Sequence, residues 1–243
     1  MDPIKEAQAN LEALGKNPYP GRGIVIGKRK GGNIIMISWI MGRSENSRNR
    51  VYSHDGAGRV YTEAANPATM KDPSLIIYNA MDEANGAYVV SNGVQTDIVH
   101  SANSQIGWVM FERDYKYEPD APNFTPRITG LFNRWNRTGI EMAIHRRSPF
   151  SDAVIASCFF YPEMEPGFGR CLTTYTGDGN PLPSFVGDPF LVIIPRDLSL
   201  EHLAECYRAS LTAENFVALA AKEIDPQTGR SEVHIVNRFT KVA

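Results

Sequence analysis

Nine short runs rich in β-branched and aromatic residues constrain this chain more than any other feature. They cover residues 23–28, 34–40, 75–81, 87–91, 140–145, 154–161, 170–175, 190–194 and 233–236, and such composition suits a pleated, half-buried surface. Lys30, Gly31, Gly32 and Asn33 between the first two runs read as a hairpin turn. Asn85-Gly86, before 87–91, is among the strongest hairpin dipeptides. Four segments read as helices. Residues 1–17 alternate Asp2, Lys5, Glu6 and Glu12 with Ile4, Ala7, Leu11 and Leu14. Thr96 or Asp97 caps a second, over 96–110, whose Ile98, Val99, Ala102, Ile106, Val109 and Met110 recur at three- and four-residue spacing. A third starts near Ser199 and carries Leu203, Cys206 and Tyr207. A fourth covers 214–224 and stops at Asp225-Pro226. Strands with helices interspersed predict α+β layers rather than alternating βαβ units.

At 243 residues the chain is long enough for one well-filled domain and short for two. We therefore expect a single domain over 1–243, with 1–17 as an N-terminal helical extension. Hydrophobic residues make up 42%, which excludes disorder, and a formal net charge of −2 leaves no broad basic field for nucleic acid. An anionic ligand then needs a local basic cluster. No apolar run is long enough to span a bilayer and the first segment does not read as a signal peptide, so the expectation is a cytoplasmic protein without membrane contact. Cys158, Cys171 and Cys206 are too few and too far apart for a disulfide framework, and the five histidines lack ligand spacing, so no metal is expected. Cys158, in an apolar run, reads as a buried thiol.

Five polar segments carry the candidate chemistry. From Gly42 to Arg50 an apolar run leads into Arg43, Ser44, Asn46, Ser47, Arg48, Asn49 and Arg50. Guanidinium groups give phosphate paired donors at fixed geometry; a solvated loop whose arginines pair with carboxylates is the plainer account. Tyr78 and Asn79 interrupt an apolar run and point to opposite faces of a strand; a satisfied core tyrosine explains the first equally. Asn92, Gly93, Thr96 and Asp97 form a strand-to-helix junction, able to hold a polar ligand or simply to cap. Around Glu118, Asp120, Asn123, Thr125 and Arg127, three prolines stiffen a loop bearing two carboxylates, an amide, a hydroxyl and an arginine. It reads as a site wall or as a structural crossover. Gly177, Asp178 and Gly179 lack the Lys-Ser/Thr ending of a phosphate loop and read as a turn.

Taken together and in this order, the segments resemble the archaeal-type IMP cyclohydrolase family over about residues 20–195. The residues that carry the resemblance are Pro20 to Lys28, Gly42-Arg43-Ser44 to Asn49-Arg50, Tyr78-Asn79, Asn92-Gly93 with Thr96-Asp97, and Asn123 with Thr125-Pro126-Arg127. The N-terminal helix, an enlarged 43–50 loop and a longer C-terminal half depart from the archaeal pattern and suggest a bacterial branch.

The resemblance implies a four-layer αββα sandwich of two mainly antiparallel sheets flanked by helices, the architecture of N-terminal-nucleophile hydrolases, with no metal and no organic cofactor. It implies closure of a formylated aminoimidazole carboxamide ribotide to inosine monophosphate (IMP) and water in purine synthesis, and a purine-nucleotide substrate. Phosphate would fall to Arg43 and Arg50 with Arg127, in a loop shared with Ser44 and Asn49. Tyr78 would donate to the formyl oxygen or relay a proton. Asn92, Thr96 and Asp97 would hold ribose or base edges, with Asn79, Gly93, Asn123 and Thr125 completing the wall, and Glu118 or Asp120 would accept the proton. An amide hydrolase would need a free nucleophile at a processed N-terminus, whereas this chain begins Met1-Asp2. A nucleotide sensor without turnover is the non-enzymatic alternative. Small enzymes of this kind are often symmetric assemblies, which leaves a homo-oligomer open.

Overall fold

The computed structural model describes residues 2–100, 115–135 and 139–242, with the side chains of Val99 and His100 excepted. Thirteen described strands form two antiparallel sheets stacked face to face. The six-stranded sheet contains β1 (Gly23–Lys28), β2 (Ile34–Met41), β10 (Phe168–Thr173), β11 (Phe190–Ile193), β12 (Phe216–Ile224) and β13 (Ser231–Asn237), in the order β11-β10-β1-β2-β12-β13. The seven-stranded sheet runs in sequence order through β3 (Val51–His54), β4 (Val60–Glu63), β5 (Asn79–Ala84), β6 (Ala87–Ser91), β7 (Arg127–Asn133), β8 (Ile140–Arg147) and β9 (Val154–Tyr161).

Side-chain alternation explains the layers. Ile34, Met36 and Ile40 of β2 face the other sheet and meet Val90, Ile128 and Met142 in the central core. The alternate residues Ile35, Ile37, Trp39 and Met41 face outward, beneath helices α1 (Pro3–Lys16) and α3 (Leu200–Ala209). Asp2 caps α1 by accepting from Ile4 N–H at 3.0 Å. On the outer face of the seven-stranded sheet, Ile98, from a 3-10 segment over Val94–His100, packs on Val89, Leu131 and Ala143. The order helix, sheet, sheet, cover is the expected α+β sandwich.

Several sequence expectations change. Residues 214–224 form no helix: Phe216–Ile224 is the strand between β2 and β13. Its alanines, leucine, lysine and glutamate favour helix locally, but pairing on both edges and burial on both faces override that preference. The strand expected over 75–81 begins only at Asn79, although Thr62 N–H still reaches Tyr78 O at 2.9 Å. The helix expected over 96–110 is a 3-10 segment where described, and residues 101–110 lie outside the described residues. Strands β3, β4 and β7 were not anticipated. Cys158 is exposed, because it lies on the outer face of the terminal strand β9.

Candidate active site

A cavity of about 350 Å³ opens at the end of the sandwich where β1 and β7 begin and β2 and β10 finish. Both sheets supply its walls. Arg22 enters from the turn before β1, where Gly21 adopts φ +71°. A Cβ on Gly21 would lie 2.3 Å from Thr174 Oγ1, so the backbone approaches the neighbouring strand as only glycine can. From the other sheet, the loop before β7 brings Glu118, Asp120, Asn123 and Thr125, and the segment before β3 brings Arg50.

Arg22 and Glu118 form a two-pronged ion pair, Nη1 to Oε1 at 2.9 Å and Nη2 to Oε2 at 2.5 Å. Burial works against the Arg22 charge, but the Glu118 carboxylate, helped by Tyr78 and Tyr175, raises the guanidinium pKa overall. Burial also raises the pKa of Glu118, opposed by Arg22 and then Arg127, which leaves a more basic carboxylate than one in water. Arg50 differs. It is 3% exposed, its Nε donates to Ser47 O at 2.9 Å, and its Nη1 has no hydrogen-bond partner among the described residues. Burial, first of all, lowers its pKa. Among the charged groups of the cavity wall, Arg50 is thus a buried arginine with no carboxylate paired to it among the described residues. Tyr78 lies behind the wall, close enough to Arg22 and Arg50 to interact electrostatically with both. Its hydroxyl is buried and finds no partner of good geometry among the described residues.

A second set of contacts crosses the cavity floor. Asp120 accepts from Thr125 N–H at 2.6 Å and from the Thr125 hydroxyl, which in turn bonds the Tyr175 hydroxyl. Because Thr125 has one hydroxyl proton and gives it to Asp120, Tyr175 must donate to Thr125. The result is a hydrogen-bond chain from the cavity wall to a carboxylate.

The sequence candidates divide by geometry. Arg43, Ser44, Arg50, Glu118, Asp120, Asn123 and Thr125 line the cavity. Arg43 sits on the rim, paired with Asp178 and stacked 5.0 Å above the Tyr19 ring. Ser44 caps the short helix α2 (Glu45–Arg48) by accepting from Ser47 N–H. Asn49, Asn79, Asn92, Gly93, Thr96, Asp97 and Arg127 are not on the cavity wall. Asn49 binds Asn66 and Thr69, and Asn79 reaches Asp97 at 3.3 Å. Asn92 ties β6 to β7 through Pro126 O, Ile128 N–H and Gln95. Thr96 is buried against Ser91 and Gly93 O, and Asp97 is exposed. Arg127 stands behind Glu118, bonded to Gln95 at 2.9 Å, and its Nη1 lies 2.5 Å from where a Gly93 Cβ would stand. Tyr19, Arg22 and Tyr175 were missed. A charged side chain between Gly21 and Gly23 at the mouth of a buried strand was the available signal for Arg22.

Among the described residues no group of three or more His, Cys, Asp or Glu side chains could hold a metal ion, and no helix is long and apolar enough to cross a membrane.

Fold and site define an α+β protein of two stacked antiparallel sheets with a polar cavity, walled by both, at one end. The chain belongs to the IMP cyclohydrolase-like protein family, whose model matches residues 19–229. That match contains every residue of the cavity wall and extends past residue 195 through α3 and β12, while α1 lies outside it. Family membership supports an IMP cyclohydrolase function. A comparison with curated proteins gives no match.

Proposed function

We propose that this chain closes the pyrimidine ring of IMP in purine synthesis, acting on formylated aminoimidazole carboxamide ribotide. The observation that carries the reading is Arg50: a buried guanidinium with an unfilled donor, beside a cavity of nucleotide-fragment size inside a cyclohydrolase-like family. A buried, unpartnered cation is costly unless an anion completes it. The substrate phosphate supplies that anion, with Arg43 closing over it from the rim once released from Asp178.

The reaction joins the carboxamide nitrogen to the formyl carbon. One proton leaves that nitrogen and the formyl oxygen becomes a hydroxyl. The hydroxyl then departs as water with the proton of the formamido nitrogen. Both reacting groups sit on one ring, so holding the reactive rotamer supplies much of the rate. Tyr78, whose buried hydroxyl lies just behind the wall beside Arg22, Arg50 and Tyr52, takes the role of donor to the formyl oxygen by turning from Tyr52 toward the cavity. Asp120 receives the proton through Thr125 and Tyr175, while Glu118, held on both oxygens, keeps Arg22 charged and in place. Neighbouring groups that accept and return one proton suit a reaction with no net acid or base demand.

Ultraviolet absorbance of the purified chain with the formylated ribotide tests this directly. Catalysed conversion to IMP is expected. Arg50→Ala should lower kcat/KM about 10–100-fold, the worth of a charged hydrogen bond, and Tyr78→Phe should lower kcat about tenfold or more. No acceleration over buffer would overturn the reading. Full activity in Tyr78→Phe would remove that hydroxyl from the mechanism.

A further inference from the structure

Among the described residues, three of the four outer strand edges of this sandwich are tied to other parts of the chain. At β11, Asn10 of α1 donates to Leu191 O at 2.9 Å and Tyr207 of α3 donates to Ile193 O at 2.7 Å. At the opposite side, Asn237 of β13 accepts from Tyr52 N–H and donates to Tyr52 O, both at 2.9 Å, tying the edges of the two sheets together. The fourth edge is β9. Among the described residues no strand pairs with its outer side.

Edges left open are normally blunted by charge, proline, a bulge or shortness. Strand β9 reads Val-Ile-Ala-Ser-Cys-Phe-Phe-Tyr, eight residues with no charge and no proline, paired to β8 without a register shift. Phe159 and Tyr161 point inward to the core, while Ala156, Cys158 and Phe160 point to the outer face and are exposed, Phe160 by 52%. We propose that β9 pairs antiparallel with the β9 of a second copy about a two-fold axis, joining two seven-stranded sheets into one continuous sheet.

The occupant follows from the charges at the strand's ends. Arg146 and Arg147 of β8 lie opposite Ile155 and Val154, at the start of β9. Asp152 pairs with Arg147, which leaves this end positive through Arg146. Just past the other end stand the exposed Glu163 and Glu165. Antiparallel pairing with an identical strand lays the acidic end of each copy against the basic end of the other, and an uncharged centre opposes nothing to itself. A two-fold pairing also closes after two copies. Opposed residues share a face, so the axis passes at Ser157 or Cys158, and either register brings the two Cys158 thiols near each other.

Sedimentation equilibrium of the full chain should give twice the mass of one chain, and the double variant Ala156→Lys with Phe160→Lys should give half that value. Both side chains are exposed, so the far-ultraviolet circular dichroism of the variant should match the wild type. A second measurement is independent of that variant. In a Cys206→Ser background, a short bis-maleimide should link two chains through Cys158. A wild-type mass of one chain, a variant that still sediments as two, or a Cys158 that takes a monofunctional maleimide but never cross-links would each overturn the pairing.

Discussion

His145 sits across the β7–β8 ladder from Arg127, buried, with neither ring nitrogen partnered among the described residues. Burial first, and then the Arg127 charge, push its pKa from 6.5 down to about 4. The sign of the linkage is fixed by that depression. As pH falls below 6.5 the unfolded chain binds a proton that the folded chain refuses until about pH 4. Stability is therefore fully present above 6.5 and falls by up to about 1.4 kcal/mol per pH unit between the two values. Urea denaturation at a series of pH values should show His145→Phe flattening that slope by one proton, and an unchanged slope would show that the ring titrates normally. The same scale explains which cavity-wall residues could be read in advance. Arg50 drew attention by the crowding of arginines in its loop, and Glu118, Asp120 and Thr125 by their types in a proline-stiffened one. Asn49 and Asn92 looked equally suited, because an amide that can grip a ligand can also bridge two backbones, and here each does the latter. Arg22 escaped notice because its meaning depends on Glu118, 96 residues away.

At the scale of elements, β1 and β2 pair so that Gly23 stands opposite Trp39. A Cβ on Gly23 would lie 1.9 Å from Trp39 Cζ2, and that ring is fully buried. Gly23→Ala should cost about 1–3 kcal/mol by overpacking, read from the urea midpoint. Because Arg22 is the next residue, kcat/KM should fall as well. A neutral substitution would mean that the indole has room to move. Hairpins were legible where local chemistry decides, as at Asn85-Gly86, where φ values of 53° and 79° give the left-handed pair such a turn requires. Strand β12 was not, because Ala218 and Ala220 are chosen for what they pack against rather than for what they prefer. Small side chains let the two sheets approach, and nothing in the local pattern separates that reason from helix propensity. Strands β3 and β4 are four residues each, too short for a period to show.

For the molecule as a whole, the layered α+β architecture was readable from many short strands and few helices, whereas strand order was not, since β12 inserts beside β2 only through long-range pairing. A nucleotide that occupies the cavity at a hundred times its Kd should stabilise the native state by about 2.7 kcal/mol. For a chain of this size the melting temperature should rise by roughly 5–10 °C. Arg50→Ala should lose most of the rise, and a wild-type protein whose melting is unmoved by saturating IMP would take the nucleotide out of this cavity. The ion pair between Arg22 and Glu118 joins the two sheets at their shared end. A collapsed chain with both sheets formed but not yet docked would keep its secondary structure and have no place for a ligand. Nucleotide would then recognise the docking itself, holding shut the seam between two otherwise complete halves.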